Sequence, residues 1–282
     1  MWPAWPVILM KKMVMRSFVR TILTVVLSAL SATAVAQVFH AGEQLDYVVA
    51  YRARLVANTE MATVTMRTSL EEFDGRAVYR VMGNGRIMPS YRWFFNIDDR
   101  YDIWVDTLSH RTLRFESNIR EGGYTFRSHY RYDWPARRVH TWAQSRENAP
   151  REKTMPLTEQ SMDPVSLYFN LRSVDPDTLV QGRRYDLQMV LEDTVKVLQF
   201  RLLGREVCRV PNQGKFRTLH LACTLGTSEG FSFTDGSEFD IWITDDRNKF
   251  PVMISSPIRI GSIRAYITSY RGLKYPLDCR VK

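Results

Sequence analysis

Apolar and polar residues alternate with a period of two through most of the chain beyond residue 40. That pattern, more than any motif, restricts what the chain can fold into. Leu45, Tyr47, Val49, Tyr51 and Leu55 share one parity, and Val64, Met66 and Leu70 follow in the next segment. A strand has a side-chain period of two, so such runs describe half-buried strands rather than helices. Turn signals separate them. Asp74-Gly75 precedes Tyr79 and Val81. Ile103 and Val105 form another short run. Gly122-Gly123 divides Leu113, Phe115 and Ile119 from Tyr124, Phe126, Tyr130 and Tyr132. Trp134-Pro135-Ala136-Arg137 turns the chain towards Val139–Trp142. Runs joined by short turns pair antiparallel.

The pattern breaks once. Residues 144–162 are polar, carry Pro150 and Pro156, and read as a loop dividing the domain into two halves. Asp163-Pro164 then supplies a capping residue and a preferred first helical residue ahead of 165–172. Leu167, Leu171 and Tyr168 form the stripe of this short helix. Strands resume at 185–191, 195–203 and 206–210. Asn212-Gln213-Gly214 turns into 216–225, and 239–244, 252–255 and 262–270 follow. About a dozen strands and one helix result. A sheet this large must curl, close or split. The expected fold is a mainly β, large curved antiparallel sheet or incomplete barrel with one short helix packed against it. A two-sheet sandwich is the alternative.

The first 36 residues read differently. Lys11, Lys12, Arg16 and Arg20 precede the apolar run 22–30, and Ala34-Val35-Ala36 forms a small-x-small site before Gln37. These are the parts of a cleaved secretory signal. Met10, Met13 or Met15 would each start a more ordinary signal than Met1-Trp2-Pro3, and no cysteine follows the apolar run to carry a lipid anchor. The expectation is an exported protein, periplasmic in a Gram-negative cell, with one β-rich domain over 37–282 and no transmembrane span in the mature chain. Charge supports this. The whole chain carries 39 Lys+Arg against 30 Asp+Glu, a net +9. Four cations and no acid belong to residues 1–36, so thirty-five face thirty in the remainder, a net +5. With export, a nucleic-acid partner is not expected, although Arg127, Arg131, Arg137 and Arg138 alternate with aromatics. They suit a solvated outer face or an anionic headgroup surface.

Four stretches together resemble a known family. They are Gly42-Glu43-x-Leu45-x-Tyr47 with Tyr51; Ile97-Asp98-Asp99-Arg100-Tyr101-Asp102; Asp163-Pro164-Val165-Ser166-Leu167-Tyr168 to Arg172; and 242–252, followed by Gly261-Ser262-Ile263-Arg264-Ala265. In order and spacing they resemble exported bacterial proteins of domain of unknown function 3108, over about residues 40–278. The Lys274-Tyr275-Pro276-Leu277 ending looks like the Bacteroidetes branch. The resemblance implies an architecture similar to periplasmic carriers of lipoproteins and lipids, a curved antiparallel sheet with a helix lid. It supplies no catalytic residues.

Candidate sites follow from residue chemistry. Asp98, Asp99 and Asp102 could gather oxygen ligands for Ca²⁺ or pair for acid–base work on glycans. The same residues also fit a strand-entry turn neutralised by Arg100. Residues 244–249 suit a tight hairpin turn with solvated basic residues. Gly83-Asn84-Gly85 reads as a turn. His40, His110, His129, His140 and His220 show no zinc spacing, and no serine lies in a GxSxG context. Cys208, Cys223 and Cys279 are odd in number. A turn centred on Gln213 would set Cys208 opposite Thr218 rather than Cys223, which leaves bridge and free thiol both open. No cofactor is expected.

Aromatic residues make up 12% of the chain, and they supply the ligand-binding candidates: Trp93, Phe94, Phe95, Trp104, Trp142, Tyr168 and Trp242. They line a cavity or fill a core. The 93–95 patch lacks alternation and suits a rim loop touching ligand, membrane or partner. The functional expectation is therefore a non-enzymatic binding or carrier protein for a hydrophobic, lipid-like envelope component. An envelope assembly protein without a small ligand and a carboxylate-based glycan hydrolase are the rivals.

Overall fold

A computed structural model describes residues 39–53, 56–93, 95–225, 238–257 and 261–282. The signal reading of residues 1–36, Leu55 and Phe94 lie outside the described residues. Strands β1 (Gln44–Ala53), β2 (Val56–Phe73), β3 (Arg76–Ile87), β4 (Asp98–Asp106), β5 (Thr112–Glu121), β6 (Tyr124–Asp133), β7 (Arg138–Ser145) and β8 (Arg151–Pro156) form one meander. After β9 (Ser161–Met162) and helix α1 (Pro164–Ser173), a second meander comprises β10 (Arg184–Leu191), β11 (Thr194–Val210), β12 (Gly214–Leu225), β13 (Glu238–Thr244), β14 (Pro251–Pro257) and β15 (Ser262–Arg271). A short β16 (Arg280–Val281) adds to β12.

All sixteen strands belong to one sheet. The first strand lies at its centre, paired with β2 on one side and β15 on the other, so each half of the chain forms one arm. Pairing is antiparallel throughout except for the parallel contact of β9 with β10. The outermost strands, β8 and β9, are consecutive in the chain and separated by only four residues. Such a tether holds the two edges of a sheet close together, which requires strong curvature. The sandwich alternative is thereby replaced by a single curved sheet left open along one seam.

Alternation governs burial where the strands are regular. In β6, Phe126, Ser128, Tyr130 and Tyr132 are buried while Arg127, His129 and Arg131 are exposed. Three segments depart from the sequence reading. Residues 144–162 are no loop, because β7 runs to Ser145 and β8 and β9 lie within the segment. Pro150 stands just ahead of β8 and Pro156 ends it, on an edge where a missing N–H costs no ladder bond. Gly83-Asn84-Gly85 is not a turn but the interior of β3, paired with Met66, Thr65 and Val64 on one side and with 99–101 on the other. A Cβ on Gly83 would stand 3.1 Å from Met66 Sδ, so the missing side chain makes room for methionine. The β11–β12 turn is centred on Asn212, whose φ of +58° suits asparagine. Cys208 therefore faces Phe216, not Thr218. All three cysteines are buried free thiols.

The register places the turns at two ends. Residues 88–97, 122–123 and 146–150 lie at one end. Residues 74–75, 107–111, 134–137 and 245–250 lie at the other. Helix α1 closes the second end. Asp163 caps it by accepting from the N–H groups of Val165 (2.9 Å) and Ser166 (2.8 Å), and Ser166 Oγ meets Thr112 Oγ1 at the start of β5. At its C-terminal end, Arg172 donates to both Glu43 carboxylate oxygens (2.7 and 2.9 Å) and to the Asn248 carbonyl (3.0 Å). Both charges of this pair are buried. Residues 244–250 do form a turn, in which Arg247 is exposed and Lys249 half-buried. Lys249 Nζ donates to the Val174 carbonyl, and the Arg247 guanidinium lies 3.8 Å from the centre of the Tyr275 ring. The turn anchors the helix and the C-terminal segment.

Candidate ligand cavity

Between the helix and the opposite end of the sheet lies a cavity of about 420 Å³. Pro164, Val165 and Tyr168 of α1 form its floor. Val64, Met66, Phe115, Ile119, Phe126, Leu191 and Ile254 give apolar walls. These positions are contributed by five strands. The space exists because β3 brings Gly83 and Gly85 to the wall. The volume is within the range of small-molecule sites.

Polar groups are few. Tyr47 Oη donates to the Pro251 carbonyl (3.0 Å) and lies 3.2 Å from Tyr168 Oη. Burial raises the pKa of both phenols, Tyr168 to about 12. Ser117 and Ser128 satisfy one another at 2.8 Å. Tyr130 Oη accepts from the Glu192 N–H at 2.8 Å, which ties β6 to the β10–β11 turn across the open seam. Arg151 pairs with Glu192 and Asp193, and Lys153 Nζ donates to the Asp193 carbonyl, so the seam carries a polar clasp.

Asp99 stands at the end opposite the helix. It is 9% exposed and lines the cavity, and its Oδ1 accepts from the Arg120 N–H at 2.9 Å. Burial pushes its carboxyl up to about 7. The Arg120 bond opposes the rise, while repulsion from Glu121 and a side-chain hydrogen bond with it add to it.

The three aspartates do not converge. Along β4 the side chains alternate, so Asp99 faces the cavity while Asp98 and Asp102 face outward. Asp98 pairs with Arg86 (3.2 Å), and Asp102 with Arg80 (2.8 Å) and Arg100 (2.6 Å). Among the described residues no cluster of His, Cys, Asp and Glu is arranged to hold a metal.

Of the aromatic candidates, Tyr168 lines the cavity. Trp104 and Trp142 lie instead along an outer groove with Arg80, Arg114 and Arg127. There Trp104 packs under Arg80 and Arg114, and Trp142 stacks on His129 at 4.7 Å. Trp242 stacks on His220 at 4.4 Å and donates to Glu206. Trp93 and Phe95 are 83% and 40% exposed, in the 88–97 connection at the cavity's far end. The cavity also takes in Tyr47, Met66, Tyr101 and Phe115, which no sequence signal marks as ligand contacts. The period-two pattern marks them as inward-facing, but it does not separate a lining position from a core position.

The sequence profile described as "Protein of unknown function (DUF3108)" matches residues 46–268. No curated protein matches the chain. Among solved structures, the fold is similar to that of a beta-barrel-like protein of domain of unknown function DUF1849 from Brucella abortus. The TM-score is 0.53 and the identity 9%, over 83% of this chain and 98% of that one. At that identity the likeness concerns fold alone. Among the described residues no helix is long and apolar enough to cross a membrane.

Proposed function

This chain belongs to the DUF3108 family of proteins of unknown function, and from that premise we propose that it is an exported, non-enzymatic carrier of a small apolar or lipid-like envelope component. The observation that carries the reading is the cavity of about 420 Å³, walled by apolar side chains and floored by a helix. An apolar space of this size has no structural use when empty, because its lining forgoes dispersion contacts that a filled core would make. Occupancy by an apolar molecule restores them. The signal-like features of residues 1–36 support delivery to the periplasm, and the dispersal of Asp98, Asp99 and Asp102 weighs against glycan hydrolysis.

Native mass spectrometry of protein purified from its own host tests the proposal. The expected result is an apolar adduct that organic extraction removes, leaving protein that binds the neutral dye N-phenyl-1-naphthylamine. Extracted, folded protein that gives no dye fluorescence would overturn it. A second reading, docking to an envelope protein, is favoured by the exposed Trp93 and Phe95. Photocrosslinking from position 93 in cells distinguishes the two, and an absence of any specific product removes the docking reading.

A further inference from the structure

We propose that the mouth of the cavity selects an amine, so that the ligand is an amphiphile whose chain lies against Phe115, Ile119 and Phe126 and whose cationic head pairs with Asp99. The inference rests on the apolar-ligand reading and adds to it the chemistry of the head.

The argument begins with counter-ions. Several acids near this end and along the adjoining strands are matched: Asp98 with Arg86, Asp102 with Arg80 and Arg100, Glu116 with Arg114, and Glu192, which itself borders the cavity, with Arg151. Asp99 and Glu121 are not. Among the described residues neither forms an ion pair, although cations outnumber acids in the chain. Burial is the largest influence on Asp99, followed by the Arg120 N–H, Glu121 and Asp98, and both side chains among these are acidic.

A buried carboxyl with no cation is costly to ionise unless a partner arrives. Asp99 lessens the cost by accepting the Arg120 N–H and by sharing a hydrogen bond with Glu121. Its position on the cavity wall leaves it open to whatever enters. Tyr101, two residues along the same face of β4, also lines the cavity. An ammonium group carries several donors and a full positive charge. It supplies the missing counter-ion while its chain fills the apolar walls. A fatty-acid carboxylate would meet like charge there, and an alcohol would meet no charge complement.

Displacement of N-phenyl-1-naphthylamine at pH 8 tests the inference, with dodecylamine, dodecanol and dodecanoate as competitors. The expected result is that dodecylamine competes at least tenfold more strongly than either of the others. In Asp99→Asn the amine-to-alcohol ratio falls to within about twofold of unity. In Glu121→Gln, at an exposed position that tolerates change, the ratio falls at least threefold. A ratio near unity in the unsubstituted protein overturns the amine inference while dodecanol competition leaves the carrier reading standing. So does a ratio that neither substitution moves. Failure of all three chains to displace the dye overturns both.

Discussion

Replacing Arg172 by methionine tests what holds the floor of the cavity in place. The guanidinium is 1% exposed and donates to both oxygens of Glu43, itself 4% exposed, and to the Asn248 carbonyl. It also lies 5.6 Å from the centre of the Tyr168 ring, the cavity's floor. Methionine keeps much of the apolar stem but leaves the Glu43 carboxylate buried without a partner. Removing one member of a buried pair costs about 3–5 kcal/mol, because the orphaned charge retains its desolvation penalty. For a domain of this size, each kcal/mol shifts the melting temperature by roughly 2–4 °C, so Arg172→Met is expected to lower Tm by about 6–20 °C. Glu43→Gln with Arg172→Met removes both charges and should recover most of that loss, since apolar replacement of a whole buried pair is often neutral. Urea unfolding followed by tryptophan fluorescence gives the two stabilities and their coupling. A single-variant loss below about 1 kcal/mol, or a double variant no better than the single, would refute the reasoning.

Three further outcomes follow from the cavity and the core. Asp99 holds its proton to about pH 7 in the folded protein, against about 4 unfolded, so the folded state binds more protons between those values. Stability therefore falls as pH rises from about 4 to about 7 and then levels off, and Asp99→Asn should remove that part of the slope in pH-dependent urea melts. Gly83→Leu projects a side chain into the cavity beside Met66, and should cut N-phenyl-1-naphthylamine affinity at least tenfold with the circular dichroism spectrum intact. Burial raises all three thiols, Cys223 to about 12. Native protein should react with a thiol reagent over hours, and denatured protein should titrate three thiols at once. Fewer than three would show a bridge.

The strands of the first arm were legible because their alternation is regular and Gly or Pro marks their turns. The helix was legible from Asp163-Pro164 alone, since a cap and a fixed φ are local devices. The departures have local causes too. Polar residues with two prolines look like a loop, yet an edge strand needs no apolar face on its free side and tolerates proline, as 151–156 shows. Gly83-Asn84-Gly85 has a turn's composition, but its neighbours in β2 and β4 hold it extended. Tertiary pairing overrides propensity in such cases.

What the sequence by itself determined was the alternation of positions in the regular strands and the site of the helix. Each follows from the two-residue period or from a contact within four residues. What only the tertiary structure decided was which inward positions face a void. Phe115 and Phe216 are both fully enclosed aromatics, yet only Phe115 borders the cavity. The difference arises from distant partners. Glycines in β3 leave a gap, a helix pinned by Arg172 to Glu43 spans one end of it, and the acids at the other end lack a cation. Alternation is encoded between near neighbours, whereas a cavity is the space left by residues a hundred or more positions apart.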